Sequence, residues 1–221
     1  DSASFVDYGN GWFRVIVVCQ STTGTTFVQW RPSSVNATLS YPCFGFQVEV
    51  QDFATSYIKT DSGSTVTRNQ DLCTNGGSLA SINSTEGTLY AEISALADDG
   101  TFKSIALSDG TINNRIIIFY SDVLSEFRTI IVYNGIFQTI INTNINVTDT
   151  NKIALKYRLN DVALWINGVE ISVDNSATMP IGLNRLSFDR GDGGNPFFGK
   201  TKALAVFPYL SDSELQSLTT I

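Results

Sequence analysis

The sequence predicts an all-β protein, an antiparallel β-sandwich preceded by a shorter, incomplete β module. Three observations lead there. Apolar runs of strand length recur from Gly87 to Phe207 at turn-punctuated spacing, Asn-Gly pairs sit between alternating runs, and no amphipathic helix intervenes. Taken in order, Trp12 to Val18 is a β-branched and aromatic run, and Ser21 to Thr26 breaks it before Phe27-Val28-Gln29-Trp30, which reads as strand, turn and strand. Cys43 to Val50 alternates, with Phe44, Phe46, Val48 and Val50 expected in a core and Gly45, Gln47 and Glu49 toward solvent. Residues 61–84 turn polar and cannot bury enough apolar area to form an element, which divides the chain into a module over 1–72, a linker over 73–84 and a sandwich over 85–221. Strands are expected at Gly87–Leu96, Thr101–Ser108, Asn114–Tyr120, Phe127–Asn134, Ile136–Ile141, Asn151–Leu159, Val162–Ile166, Val169–Val173, Leu183–Phe188 and Thr201–Phe207. Asn134-Gly135 and Asn167-Gly168 supply the positive φ angles that two-residue hairpin turns need. The one helix signal is terminal: Ser211-Asp212-Ser213-Glu214 matches a capping box, with Leu215 and Leu218 one turn apart.

Composition excludes several functions. Among 221 residues there is no histidine, which removes histidine acid/base catalysis, Ser-His-Asp or Cys-His nucleophile activation and His-ligated zinc. With 14 Lys and Arg against 21 Asp and Glu, a net charge of -7 and no basic cluster, nucleic acid is a poor partner. No apolar run reaches membrane-spanning length; Ile116 to Tyr120 is strand length, so no membrane insertion is expected. Cys19, Cys43 and Cys73 form no CxxC pair, leaving buried free thiols or a Cys19–Cys43 bridge as the alternatives. The chain opens at Asp1 without an initiator Met, as expected of a fragment or processed product.

Two stretches carry a family resemblance. Gly9-Asn10-Gly11-Trp12-Phe13-Arg14-Val15, Phe44-Gly45-Phe46-Gln47-Val48-Glu49, Phe53 to Thr60 and Thr65 to Asp71 together resemble the C-terminal half of a carbohydrate-binding-module-like jelly roll found in bacteriophage tail-fibre and other virion proteins. Phe44, Phe46 and Lys59 depart from that pattern, where Trp, Ala and Pro stand, and the first half of the jelly roll is missing. From about Ser78 onward the chain resembles a concanavalin A-like or laminin G-like sandwich, carried by Glu86 to Glu92, Asn151 to Tyr157, Ala163 to Gly168, Phe197 to Phe207 and Leu210 to Leu215. The resemblance implies an extracellular virion component of tail or fibre. In that setting the chain is a homo-oligomer, expected as a trimer, that touches other virion subunits and adheres to host-surface polysaccharide. Residues 1–72, with unpaired sheet edges, are then expected to pair with another chain. A structural or assembly domain that binds no sugar, and a sugar-binding appendage of a secreted bacterial enzyme, are the alternatives.

No enzyme activity is expected. The alternating acids of concanavalin A-like glucanases are absent: Glu49-Val50-Gln51-Asp52 has the wrong spacing, and Asp98-Asp99-Gly100 and Asp109-Gly110 read as turns. The loop Asp189-Arg190-Gly191-Asp192-Gly193-Gly194-Asn195-Pro196 reads as a turn-rich connection. Alternatively, Asp189, Asp192 and Asn195 could hold calcium, or these groups with Arg190 could meet a sugar. Sugars stack on exposed aromatic faces. If Leu164 and Ile166 are core, Trp165 faces the other way beside Lys156 or Arg158, as a sugar platform, a cover for the outer sheet face or a subunit contact. Tyr133, with Tyr120 and Tyr209, is a further aromatic candidate, whereas Trp12 and Trp30 are expected in a core.

Overall fold

The computed structural model describes residues 2–19, 42–49, 54–60, 65–66 and 76–221. The chain divides into two compact units, Asp1–Arg68 and Asn69–Ile221. The first contains an antiparallel hairpin, β1 (Ser2–Gly9) with β2 (Trp12–Val18), turning through Gly9, Asn10 and Gly11 at φ 79°, 53° and 80°. The β1 strand went unread in the sequence because Ser, Asp and Ala interrupt its apolar positions. Residues 42–49 form no ladder, and their alternation runs opposite to expectation: Phe44, Phe46 and Val48 are exposed, while Gly45, Gln47 and Glu49 are half-buried. Hydrogen bonding explains the inversion. Gln47 Oε1 accepts from Ile58 N at 2.8 Å, Glu49 Oε2 accepts from Thr55 N at 3.0 Å, and the Arg14 guanidinium donates to Thr55 O, so the polar side chains hold neighbouring backbone. Trp12, expected in a core, is about half exposed, and Trp30 and Cys73 lie outside the described residues. Cys19 and Cys43 are free and exposed, against the expectation of burial or a bridge.

The second unit is an antiparallel β-sandwich. Sheet I has the order β10-β9-β8-β3-β12, from β3 (Glu86–Ala95), β8 (Asn151–Arg158), β9 (Val162–Ile166), β10 (Val169–Asp174) and β12 (Gly199–Phe207). Sheet II runs β11-β4-β5-β6-β7, from β4 (Lys103–Ser108), β5 (Arg115–Tyr120), β6 (Glu126–Tyr133), β7 (Ile136–Asn144) and β11 (Arg185–Ser187). Alternate residues of the two inner faces, among them Leu89, Ile93, Ile153, Leu155, Ile118 and Ile131, interdigitate in one fully buried core. At roughly 1.5–3 kcal/mol for each fully buried aliphatic or aromatic side chain, this layer dominates the folding energy. Asn134-Gly135 and Asn167-Gly168 turn their hairpins with φ of 49° and 77°, and 52° and 81°.

The outer face of sheet I is also covered. The helix α1 (Asp212–Thr219) begins at Ser211, whose N–H donates to Glu214 Oε2 at 2.8 Å, and Leu215 drops onto Tyr90, Ala154, Ala163 and Trp165. Tethers at both ends hold it: Lys156 Nζ to Asp212 Oδ1 at 2.7 Å, and Lys152 Nζ to Thr220 O at 2.8 Å. Trp165 therefore does point away from the core, as the alternation predicts, but only 7% of it remains exposed. The structure presents no open aromatic platform at Trp165, because the indole is the floor beneath α1.

Candidate functional site

Directly paired residues of neighbouring strands share a sheet face, and this rule lays out the outer face of sheet II as three cross-strand rows. The first is Arg185–Ser108–Arg115–Val132–Phe137, running across all five strands. The second is Ser187–Ala106–Ile117–Ile130–Ile140, and the third Ser104–Phe119–Arg128–Asn142. Among the described residues, no helix covers this face. Over β4 and β5 it is overlain by the connection between β11 and β12, residues 188–198: Ser108 Oγ donates to Gly191 O at 3.3 Å and Arg115 Nη1 to Arg190 O at 3.1 Å. Gly191, at φ 103°, lets the connection approach, since a Cβ there would stand 2.9 Å from the Ser108 Cβ.

Arg115 is the unusual group. It is 9% exposed and, among the described residues, has no ion pair with a carboxylate. Its Nε is buried without a partner and its Nη1 binds only a neutral carbonyl, so Nη2 is the part left to meet solvent. Burial pushes its pKa down, the Arg190 charge adds to that, and Asp192 only partly opposes them. A buried charge is ordinarily paired, because desolvating an unpaired ion costs several kcal/mol. Two more unpartnered buried polar atoms, Ser104 Oγ and Arg128 Nε, flank the Phe119 ring in the third row. Thus three of the six such atoms among the described residues lie on this one face. Arg128 sits 5.9 Å above the Phe119 ring and spends Nη2 on Glu126 Oε1 at 2.6 Å. Arg185 lies against Gly110, whose Cβ would come within 2.6 Å of its Nη2. In a chain of net charge -7, this face gathers Arg115, Arg128, Arg185 and Arg190.

The expected site residues do not form one site. Asp189, Arg190, Asp192 and Asn195 lie together against β4 and β5, where Asn195 O accepts from Ser104 N at 3.2 Å. Their carboxylates are turned inward on the loop itself. Asp192 takes Arg190 in a two-pronged pair, Nε to Oδ1 at 3.1 Å and Nη2 to Oδ2 at 2.7 Å, which holds its pKa down at about 2, while Asp189 Oδ1 accepts from Ser187 Oγ and Gly191 N. Among the described residues, no three Asp, Glu, Cys or His side chains come together as a metal site, and of the three expected calcium ligands, Asp189, Asp192 and Asn195, Asp192 is engaged by Arg190 and Asp189 by Ser187 and Gly191. Tyr133 closes β6 opposite Ile136, half-buried and one residue out of step with the Arg115 row, so it belongs to the other side of sheet II. Tyr120 points into the core.

Lys156 is on sheet I, buried, and bound to Asp161 Oδ1 at 3.2 Å as well as to Asp212. Arg158 stacks 3.9 Å from the Tyr209 ring centroid, and the Tyr209 hydroxyl donates to Asp161 Oδ2 at 2.6 Å. This cluster ties α1 to the sheet. Burial pushes the Asp161 carboxyl up, but hydrogen bonds from Tyr209 and Lys156 outweigh it, and the net shift is downward. Such a group stabilises the fold above the unfolded carboxylate range, and the contribution is lost as pH falls through the lowered folded value. Asp161→Asn is therefore expected to lower the urea midpoint at pH 6, with the gap to the parent narrowing as pH falls below the ordinary carboxylate range; a gap that does not narrow on acidification would contradict the charge-based account.

A groove of about 580 Å³ lies elsewhere, lined by residues that include Ser81, Asn83, Glu86, Ile181, Phe207 and Tyr209. Its polar groups are largely taken: Ser84 Oγ accepts from Leu183 N at 2.9 Å, Asn83 Oδ1 from Thr85 N at 3.0 Å, and Asn83 O from the Tyr157 hydroxyl at 2.9 Å. Among the described residues, the arginine face gathers three of the six buried polar side-chain atoms that have no partner. Sequence reading missed Arg115, Arg128 and Phe137, although alternation alone puts Arg115, Ile117 and Phe119 opposite Ile116, Ile118 and Tyr120.

No protein-family model matches the chain, and no curated protein matches it. Among solved structures, the sandwich is similar to the CBM40 module of the Ruminococcus gnavus IT-sialidase, at 18% identity, TM-score 0.51, covering 62% of this chain and 84% of that one. The same module bound to alpha2,3 sialyllactose matches at 19% identity and TM-score 0.50, covering 62% and 83%. A leech intramolecular trans-sialidase complexed with 2,7-anhydro-Neu5Ac matches at 18% identity and TM-score 0.50, over 62% of this chain and 24% of that one. NanB in complex with Optactamide gives 17% identity, TM-score 0.53, and 64% and 25%. The chain thus spans about a quarter of those two longer proteins, and at these identities the likeness is one of fold.

Proposed function

We propose that the sandwich is a non-catalytic glycan-binding domain that takes an acidic sugar on the outer face of sheet II. The observation that carries this is Arg115, a guanidinium held nearly dry with no carboxylate hydrogen-bonded to it among the described residues, on the face that also carries Arg128, Arg185 and Arg190. A sugar carboxylate supplies the missing partner, and its charge-assisted hydrogen bonds to Arg115 offset the desolvation already incurred in folding. The fold's likeness to a module seen with sialyllactose supports a ligand of this chemistry. The setting proposed from the sequence is a virion tail or fibre component that adheres to host-surface polysaccharide and is carried as a trimer. There, weak single sites multiply through effective concentration. Support for partner chains comes from the first unit, whose hairpin leaves Phe5, Tyr8, Phe13 and Val17 exposed. An appendage of a secreted enzyme is the second reading, favoured by the two longer neighbours of which this fold occupies a quarter.

Retention on immobilised acidic and neutral bacterial polysaccharides, with and without chelator, and with an assay for released reducing ends, tests the proposal. Expected are retention on acidic polymers only, indifference to chelator, no release, and a light-scattering mass above that of a monomer. Equal retention on neutral polymers would contradict the arginine site, release of reducing ends would contradict the non-catalytic role, and a monomeric mass would contradict the trimer.

A further inference from the structure

The arginine row does not end at Arg115. Two strands further on, in the same row, stands Phe137, at the edge strand β7 and 57% exposed, with Ile140 of the second row beside it at 54%. Two inter-strand spacings separate Arg115 from Phe137, about 9.6 Å, and Val132 between them is buried. The aromatic therefore stands in the same cross-strand row as Arg115, with Val132 between them. A lone exposed Phe needs no explanation, but this one shares its row with the buried Arg115 guanidinium. It also lies where the β6–β7 ladder shifts register between Ile131 and Val132, so that Val132 pairs with Phe137 while Ile131 pairs with Thr139. Bulges of this kind re-aim side chains near binding sites.

We propose that Phe137, with Ile140, is a second subsite of this face, on which the sugar unit next to the acidic one lays its apolar C–H surface. The inference rests on the acidic-glycan reading and extends it: the ligand is an oligosaccharide of at least two units, its carboxylate at Arg115 and its neighbouring ring on Phe137. Phe137 is then a specificity-determining residue that reads length and leaves the charged end untouched.

Calorimetric titration of the intact chain with 3′-sialyllactose and with the methyl glycoside of N-acetylneuraminic acid, for the parent and Phe137→Ala, tests this. The expected result is that the parent binds the trisaccharide about tenfold tighter than the monosaccharide and that Phe137→Ala removes the difference while binding the monosaccharide as before. Equal affinity for the two probes, unchanged in Phe137→Ala, would overturn the subsite and leave the acidic-glycan reading standing. Absence of binding to both by the parent would overturn that reading and the subsite with it. A fall in the light-scattering mass of Phe137→Ala would make the strip a subunit contact and equally overturn the subsite.

Discussion

Replacing Arg115 by Gln is expected to weaken binding of an acidic oligosaccharide about tenfold to a hundredfold, while leaving the melting temperature unchanged or slightly raised. The affinity change follows from losing a charge-assisted hydrogen bond, worth about 1.5–3 kcal/mol. The stability change follows from the same burial. Arg115 makes one hydrogen bond, to Arg190 O at 3.1 Å, leaves Nε unpartnered and has no carboxylate partner among the described residues, so the folded state carries a desolvated charge that a neutral amide relieves. Function and stability pulling in opposite directions is the signature of a site group rather than a structural one. Arg158→Gln is the matched control. That guanidinium is on sheet I, bound to Asp161 Oδ2 at 2.6 Å and stacked on Tyr209, and its loss is expected to leave glycan affinity as it was. Calorimetry and thermal unfolding on the two variants check both halves. A large drop in stability for Arg115→Gln with unchanged affinity would make Arg115 a clamp for the 188–198 connection only.

Trp165→Ala is expected to do the reverse. The indole packs with Tyr90, Ala154 and Ala163 under Leu215 of α1, and truncating a buried Trp costs about 3–5 kcal/mol. For a domain of this size each kcal/mol shifts the melting temperature by roughly 2–4 °C, so a drop of about 10 °C is expected. The protein that remains folded should bind acidic glycan as tightly as the parent, because Trp165 and the arginine rows are on opposite outer faces of the sandwich. Preserved stability with lost binding would return Trp165 to the role of a sugar platform and would mean that α1 lifts away.

How far such a fold can be read from sequence depends on which faces are buried. The ten strands of the sandwich were legible because their inner faces repeat every second residue and Asn-Gly fixes two of the hairpins. α1 was legible from Ser211 to Glu214, four residues that encode their own cap. What could not be read was which outer face is covered. Ile153, Leu155 and Tyr157 announce the core side of β8, but nothing local to Trp165 says that a helix fifty residues later closes over it. Lys156 misled for the same reason, since its partners Asp161 and Asp212 meet it only in the folded chain. The loop Asp189 to Asn195 attracted notice through its carboxylates, yet the part of it that serves the site is backbone: the Arg190 and Gly191 carbonyls, which hold Arg115 and Ser108. In the first unit, alternation assigned Phe44, Phe46 and Val48 to a core, and the hydrogen bonds of Gln47 and Glu49 turned that assignment over.

The central claim is that the outer face of sheet II receives the glycan, and amide chemical-shift mapping during titration with 3′-sialyllactose, against lactose as the neutral control, tests it most directly. Saturable shifts confined to β4 to β7 and to residues 188–198, given by sialyllactose and not by lactose, are the predicted result. Shifts centred on Asn83, Glu86 and Tyr209, or the same pattern with lactose, would contradict it and move the site to the groove or remove its dependence on acidic charge.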